Sequence, residues 1–145
     1  MPEAQAPLPP GSTIGVLGGG QLGRMLAMSA ARLGFKTHIY CPEAGCTAAQ
    51  VSDAITVADY DDKDALKAFA ASVDVVTYEF ENVPTDTAAV LSQHVPVRPG
   101  ARALAVAQDR LTEKTFIRDL GIATAPFADI TGPDSLAAVL ENIGT

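Results

Sequence analysis

The chain has 145 residues, of which 48% are hydrophobic, and its formal net charge is −7. That length accommodates one domain with a buried core but is too short for two domains of ordinary size. Its apolar runs fall well short of the ~20 residues that span a bilayer, and its ten Lys and Arg residues are scattered, so we expect neither a membrane protein nor a nucleic-acid-binding surface.

The pattern along the chain alternates between strands and helices. A proline-rich lead-in, residues 1–12, has neither the basic nor the apolar region of a secretory signal, which predicts a disordered start and a cytoplasmic location. Strands are predicted at Thr13–Leu17, Lys36–Cys41, 54–58, 74–79 and, as a possible edge strand, 95–99. Helices are predicted at 21–33, 64–73, 85–91, Ala101–Gln108, 110–120 and 136–143, with a short helix or irregular crossover in 43–52. This alternation predicts an α/β fold with a mostly parallel sheet and helices on both faces.

The helix that follows the first strand has mostly apolar residues at helical spacing. Leu22, Met25, Leu26, Ser29 and Leu33 recur at intervals of one, three or four positions. We therefore expect this face, together with the neighbouring alanines, to pack against the sheet.

The glycines between the first strand and the first helix match a phosphate-binding pattern. Gly18, Gly20 and Gly23 fit G-x-G-x-x-G, the strand–turn–helix opening of a Rossmann-like unit, whose helix N-terminus offers N–H groups to an anion. Dinucleotide-binding units also carry an acidic residue where the second strand ends, but here Cys41 and Pro42 stand at that place. The pattern alone therefore leaves the ligand open.

The only two cysteines, Cys41 and Cys46, lie five positions apart. They form no Cys-x-x-Cys motif and have no His pair nearby. This spacing favours free thiols over a zinc site.

Four stretches carry a resemblance to a known family. They are GGGQLGRM at 18–25, YEFENVP at 78–84, DRLTEK at 109–114 and LGIATAPF at 120–127. In this order and spacing they resemble the N-terminal part of the N5-carboxyaminoimidazole ribonucleotide synthetases, enzymes of purine biosynthesis in the ATP-grasp superfamily. The resemblance implies a Rossmann-like pre-ATP-grasp domain at 13–100, followed at 101–145 by linker helices and the start of a truncated ATP-grasp region.

The resemblance also implies a reaction. In this family ATP phosphorylates bicarbonate, and the resulting carboxyphosphate delivers CO2 to the exocyclic amine of 5-aminoimidazole ribonucleotide. ATP and Mg2+ are then the implied cofactors, and the complete enzyme is expected to be a homodimer. The metal ligands and catalytic residues are expected outside this chain, so the chain alone should not turn over.

Site residues are carried over only where the motifs match. The resemblance places the ribonucleotide against Gly20, Gln21 and Leu22, and it supports a substrate contact by Glu79, which stands at a strand end where ligands of parallel sheets bind. It places ATP against Arg110, whose guanidinium fork suits phosphate.

Four points stay open from the sequence. Glu81 could contact the substrate in place of Glu79, and Cys41 stands where relatives often carry an aspartate. A non-catalytic NAD(P)-binding Rossmann module remains an alternative. So does a sister ATP-grasp enzyme such as a formate-dependent glycinamide ribonucleotide transformylase.

Overall fold

The computed structural model describes residues 7–133, 135–136 and 139–140. Its strands are β1 Thr13–Leu17, β2 Lys36–Cys41, β3 Ala54–Val57 and β4 Val75–Tyr78. Its α-helices are α1 Gln21–Arg32, α2 Lys63–Ala70, α3 Thr85–Leu91, α4 Ala101–Gln108 and α5 Arg110–Asp119, and a 3₁₀ helix lies at Thr47–Val51. The chain divides into two compact units, Met1–Leu104 and Ala105–Thr145. No helix in the described part of the chain is long and apolar enough to cross a membrane.

The first unit is built on a four-stranded parallel sheet with the strand order β3-β2-β1-β4. The chain moves outward from β1 through β2 to β3, and then returns to place β4 on the other side of β1. Ligands of such sheets bind beyond the carboxyl ends of the strands, at the point where the strand order reverses. Here that point lies between β1 and β4, where Leu17 pairs with Tyr78.

Both faces of the sheet are covered, as predicted. Successive residues of a strand point to opposite faces, and Leu17 and Tyr40 belong to one apolar cluster whereas Val16 and Ile39 belong to another. The first cluster includes side chains of α2 and α3, and the second includes Ala48 of the 3₁₀ helix. The predicted α/β class is therefore confirmed.

The prediction for α1 is confirmed for two of its alanines and wrong for its large apolar residues. Its buried residues are the small ones, Gly23, Ala27 and Ala30. The large apolar side chains expected in the core are exposed instead: Leu22 by 57%, Met25 by 54%, Leu26 by 41% and Leu33 by 70%. The physical reason is close approach, because a Cβ added at Gly23 would lie only 2.9 Å from the Gly18 carbonyl oxygen and 3.3 Å from Ala48. A helix this close to its neighbours has room only for small side chains.

Helix ends follow ordinary capping chemistry. Asp62 caps α2 by accepting hydrogen bonds from the amides of Asp64 (3.1 Å) and Ala65 (3.0 Å), and buried Leu66 and Phe69 then face the core.

The segment 43–52, left open by the sequence, contains the 3₁₀ helix. The predicted edge strand at 95–99 forms only an isolated bridge between Val97 and Val76, because its prolines lack an N–H to continue a ladder.

The two ends of the chain are described only in part. Residues 1–6 of the predicted lead-in lie outside the described residues, whereas Gly11 donates a hydrogen bond to the Gly34 carbonyl (2.7 Å). The predicted helix at 136–143 lies largely outside the described residues.

Candidate functional site

The glycine loop connects β1 to α1 at the carboxyl edge of the sheet. Gly18 has φ +105°, a conformation that side-chain-bearing residues rarely adopt. Its N–H donates to the Tyr40 carbonyl at 2.9 Å, which ties the loop to β2. The turn therefore brings the N-terminus of α1 directly above the ends of β1 and β4.

Glu79, the residue after β4, places its carboxylate inside this loop. The Gly20 N–H donates to Oε1 at 2.5 Å, and the Gly23 N–H donates to Oε2. A Cβ at Gly18 would lie 2.6 Å from Oε1, and one at Gly20 would lie 2.9 Å from it. The three glycines of the motif thus surround one side chain of the protein itself.

This arrangement changes what the glycine motif can do. The sequence predicts free N–H groups for an external anion, but the Glu79 carboxylate already holds two of them. A carboxylate at a helix N-terminus is stabilised both by the charge-assisted hydrogen bonds and by the helix dipole. The predicted site residues Gly20 and Glu79 are brought together, and the amide of Gly20 is engaged by Glu79.

Two amides of the first turn remain open. Among the described residues, the N–H groups of Gln21 and Leu22 make no hydrogen bond. Leu22 also lines an open cavity of about 370 Å³ between α1 and the end of β4. Its lining residues are Leu22, Met25, Leu26, Ser29, Tyr78 and Glu79. The cavity therefore has one carboxylate and an apolar wall, and Leu22, one of the two residues with a free N–H group, lines it.

Arg110 lies in the second unit, at the first position of α5. Asp109 caps this helix by accepting from the Thr112 N–H at 2.7 Å, and the hydrogen bonds from Thr112 lower the pKa of Asp109. The Arg110 side chain is 83% exposed and its Nη1 lies 2.5 Å from Oε2 of Glu113. Its guanidinium is thus held on the helix surface by a neighbour and faces solvent.

Tyr60, which lies just beyond β3, was not among the residues predicted from the sequence to lie at the site. Its ring stacks on Tyr40 with centroids 5.9 Å apart and lies 6.4 Å from Phe80. Burial raises the pKa of Tyr60, and the nearby Cys41 and Glu79 add to the effect. Its position after a strand of the same sheet was the available signal, because the carboxyl ends of parallel strands share one edge.

Within the described ranges, no group of three or more His, Cys, Asp or Glu side chains is placed to hold a metal ion.

Comparison with known proteins identifies the family. The model of the ribonucleotide synthetase preATP-grasp domain matches residues 12–108. The chain belongs to this family. The match includes β1 to β4, the glycine loop and Glu79.

Individual relatives agree with the motif-based resemblance. The N5-carboxyaminoimidazole ribonucleotide synthase of Brucella melitensis is 53% identical over 94% of this chain. The crystal structure of N5-carboxyaminoimidazole ribonucleotide synthetase from Thermus thermophilus superposes with a TM-score of 0.81 at 46% identity, covering 90% of the chain. The synthase of Aspergillus clavatus, solved with ADP and 5-aminoimidazole ribonucleotide, gives 0.80 at 32% identity over 93% of the chain. The chain spans between 36% and 38% of the length of these relatives.

Proposed function

We propose that this chain supplies the ribonucleotide-binding part of a ligase of de novo purine biosynthesis. The complete enzyme would use ATP and bicarbonate to carboxylate the amine of 5-aminoimidazole ribonucleotide. The observation that carries the proposal is the Glu79 carboxylate bridging the Gly20 and Gly23 amides beside two amides that remain open. The relatives, which are synthases or synthetases of this name, support the choice of reaction.

The open amides and the carboxylate suit complementary parts of a ribonucleotide. The N–H groups of Gln21 and Leu22, which make no hydrogen bond to the described residues, can donate to substrate oxygens. Each oxygen of Glu79 accepts one glycine amide and retains a further lone pair, which can accept from a ribose hydroxyl or the substrate amine. Glu79 would thereby fix both the loop and the substrate against it.

The proposed reaction needs more than this chain. Bicarbonate is a poor electrophile, and phosphorylation converts one of its oxygens into a leaving group, which ATP would supply with Mg2+ neutralising the phosphate charge. Arg110 would contact ATP through its guanidinium, exchanging Glu113 for a phosphate. The bicarbonate and Mg2+ requirements, homodimerisation of the complete enzyme and a cytoplasmic location belong to the same proposal.

The dinucleotide alternative is disfavoured by the loop itself. A pyrophosphate at the N-terminus of α1 would meet the Glu79 carboxylate that already occupies that place. The end of β2 carries the buried Cys41, which cannot accept from ribose hydroxyls as a carboxylate does. The sister ATP-grasp alternative differs in substrate and is separated from the proposal by assay.

Two measurements test the proposal. In the complete enzyme, phosphate release from ATP should require both 5-aminoimidazole ribonucleotide and bicarbonate, and release that ignores the nucleotide would contradict it. On the 145-residue chain, calorimetric titration should detect the ribonucleotide and not NADH. Glu79→Gln should weaken that binding more than Glu81→Gln, and the opposite order would move the contact to Glu81.

A further inference from the structure

The two cysteines of the chain lie side by side in the first unit. Cys41 is the last residue of β2 and Cys46 precedes the 3₁₀ helix, and their sulfurs are 2.7 Å apart. Both are free thiols, exposed by only 2% and 8%. Because the sequence has no other cysteine, any thiol chemistry of this chain belongs to this pair.

The pair lies directly beneath the glycine loop. A Cβ at Gly19 would be 2.8 Å from Sγ of Cys41 and would also collide with Sγ of Cys46. The Ala48 N–H donates to the Gly19 carbonyl at 2.9 Å, so the segment after Cys46 is hydrogen-bonded to the loop. A change of bonding between the sulfurs is therefore transmitted to the backbone of Gly19.

The segment between the cysteines gives a route to the sulfurs. Residues 42–45 are all exposed, and Gly45 has φ +75° with no atom within 4 Å of its Cβ position. Opening of this turn exposes Cys46 first, because Cys41 is anchored in β2 and donates to the Glu43 carbonyl at 3.3 Å. Burial also raises the pKa of the Cys41 thiol, which disfavours Cys41 as the first nucleophile.

We propose that Cys41 and Cys46 are a reversible dithiol–disulfide site whose oxidant is a hydroperoxide. The Cys46 thiolate attacks the peroxide oxygen, giving a sulfenic acid and releasing the alcohol, or water when the oxidant is hydrogen peroxide. The Cys41 sulfur then attacks the sulfenic sulfur and displaces water. The two thiols lose two electrons and two protons, the peroxide O–O bond is reduced, and an external dithiol reverses the change by exchange.

The geometry favours this bond over other fates of the thiols. The sulfurs need to approach by only about 0.7 Å to reach a disulfide distance of roughly 2.05 Å. The bond would close the exposed 42–45 turn against the sheet and hold the sulfurs under Gly19. Oxidation would thereby stiffen the glycine loop.

The first experiment counts thiols and mass on the wild-type chain, so that no variant has to fold. Treatment with hydrogen peroxide should lower the thiol count in denaturant from two to zero. It should give a monomer lighter by about 2 Da, the loss expected for one disulfide, and dithiothreitol should restore both values. Surviving thiols, oxygen uptake on one cysteine, or disulfide-linked dimers without that lighter monomer would overturn the proposal.

Two further readouts locate the effect. Phenylarsine oxide, which bridges neighbouring thiols, should bind the native chain one to one, and Cys41→Ser or Cys46→Ser should abolish this. In amide NMR spectra, oxidation should shift the Gly19 and Ala48 signals and reduction should return them. Unchanged Gly19 signals would refute the link to the loop, and arsenical binding by either Ser variant would refute the pairing of the thiols.

Discussion

Replacing Glu79 with Gln tests whether the carboxylate holds the glycine loop. The substitution preserves the size of the side chain and one acceptor oxygen. It removes the charge and turns an NH2 group toward one of the two amides of Gly20 and Gly23 that the carboxylate now serves. The loop should therefore lose one of its two tethers while the sheet beneath it stays intact.

The magnitude follows from these two bonds. A hydrogen bond to a charged group contributes about 1.5–3 kcal/mol, and a carboxylate at a helix N-terminus adds about 0.3–1 kcal/mol. Water can partly replace the bond to Gly20, which is exposed, so we expect Glu79→Gln to lower the free energy of unfolding by about 2 kcal/mol. For a chain of this size that corresponds to a fall in Tm of roughly 4–8 °C.

The assay combines urea unfolding with amide hydrogen exchange. In Glu79→Gln the Gly20 and Gly23 amides should exchange faster, whereas the Gly18 amide, which donates to Tyr40, should keep its protection. Glu81→Gln makes the same chemical change two residues away and should leave the exchange of both glycine amides unchanged. Wild-type exchange at Gly20 and Gly23 in the Glu79 variant would refute the reasoning.

The remaining predictions concern the loop, α1 and a buried tyrosine. Gly18→Ala should lower the free energy of unfolding, measured in urea, by about 2–4 kcal/mol, because alanine disfavours the positive φ and its Cβ would collide with Glu79. A loss no larger than that of an ordinary surface substitution would contradict the geometry. Ala27→Leu should lower the free energy of unfolding by about 1–3 kcal/mol through overpacking, whereas Met25→Gln should change it by no more than about 0.5 kcal/mol. A larger loss for Met25→Gln than for Ala27→Leu would instead indicate that the large apolar side chains of α1 pack against the sheet. Burial, followed by nearby carboxylates, raises the pKa of Tyr40 from 10.0 to about 12. Stability should then be complete below pH 10 and decline by about 1.4 kcal/mol per pH unit up to pH 12. Tyrosinate absorbance should rise together with unfolding, and full ionisation of a folded chain near pH 10 would disprove this.

Local patterns were sufficient to predict much of the fold. The observed bounds of β1, β2 and α4 coincide with the predicted Thr13–Leu17, Lys36–Cys41 and Ala101–Gln108. β1 and β2 contain β-branched residues and α4 is alanine-rich, and a glycine or proline stands next to one end of each segment. The family resemblance is confirmed for the same reason, because its motifs are short, contiguous and correctly ordered.

What the sequence could not reveal depends on contacts between distant residues. The hydrogen bond from Gly20 to Glu79 joins positions 59 apart, so nothing near the glycines indicates that the anion is internal. The orientation of α1 was mispredicted because periodicity ranks faces by hydrophobicity, whereas the approach of Gly23 to Gly18 selects the face by size. The proposed roles of Gln21 and Arg110 remain predictions, since they concern ligands.

The exposed apolar row on α1 has a consequence for how the chain behaves in solution. The exposed apolar side chains of this row favour self-association of the chain; they belong to Leu22, Met25, Leu26 and Leu33. The net charge of −7 opposes this self-association by long-range repulsion. Salt screens that repulsion over about 10 Å at 0.1 M, and it vanishes near the isoelectric point of about 4.6. Colloidal stability of this chain therefore depends on its electrostatic environment, and dilute buffer near neutral pH is where it should stay best dispersed.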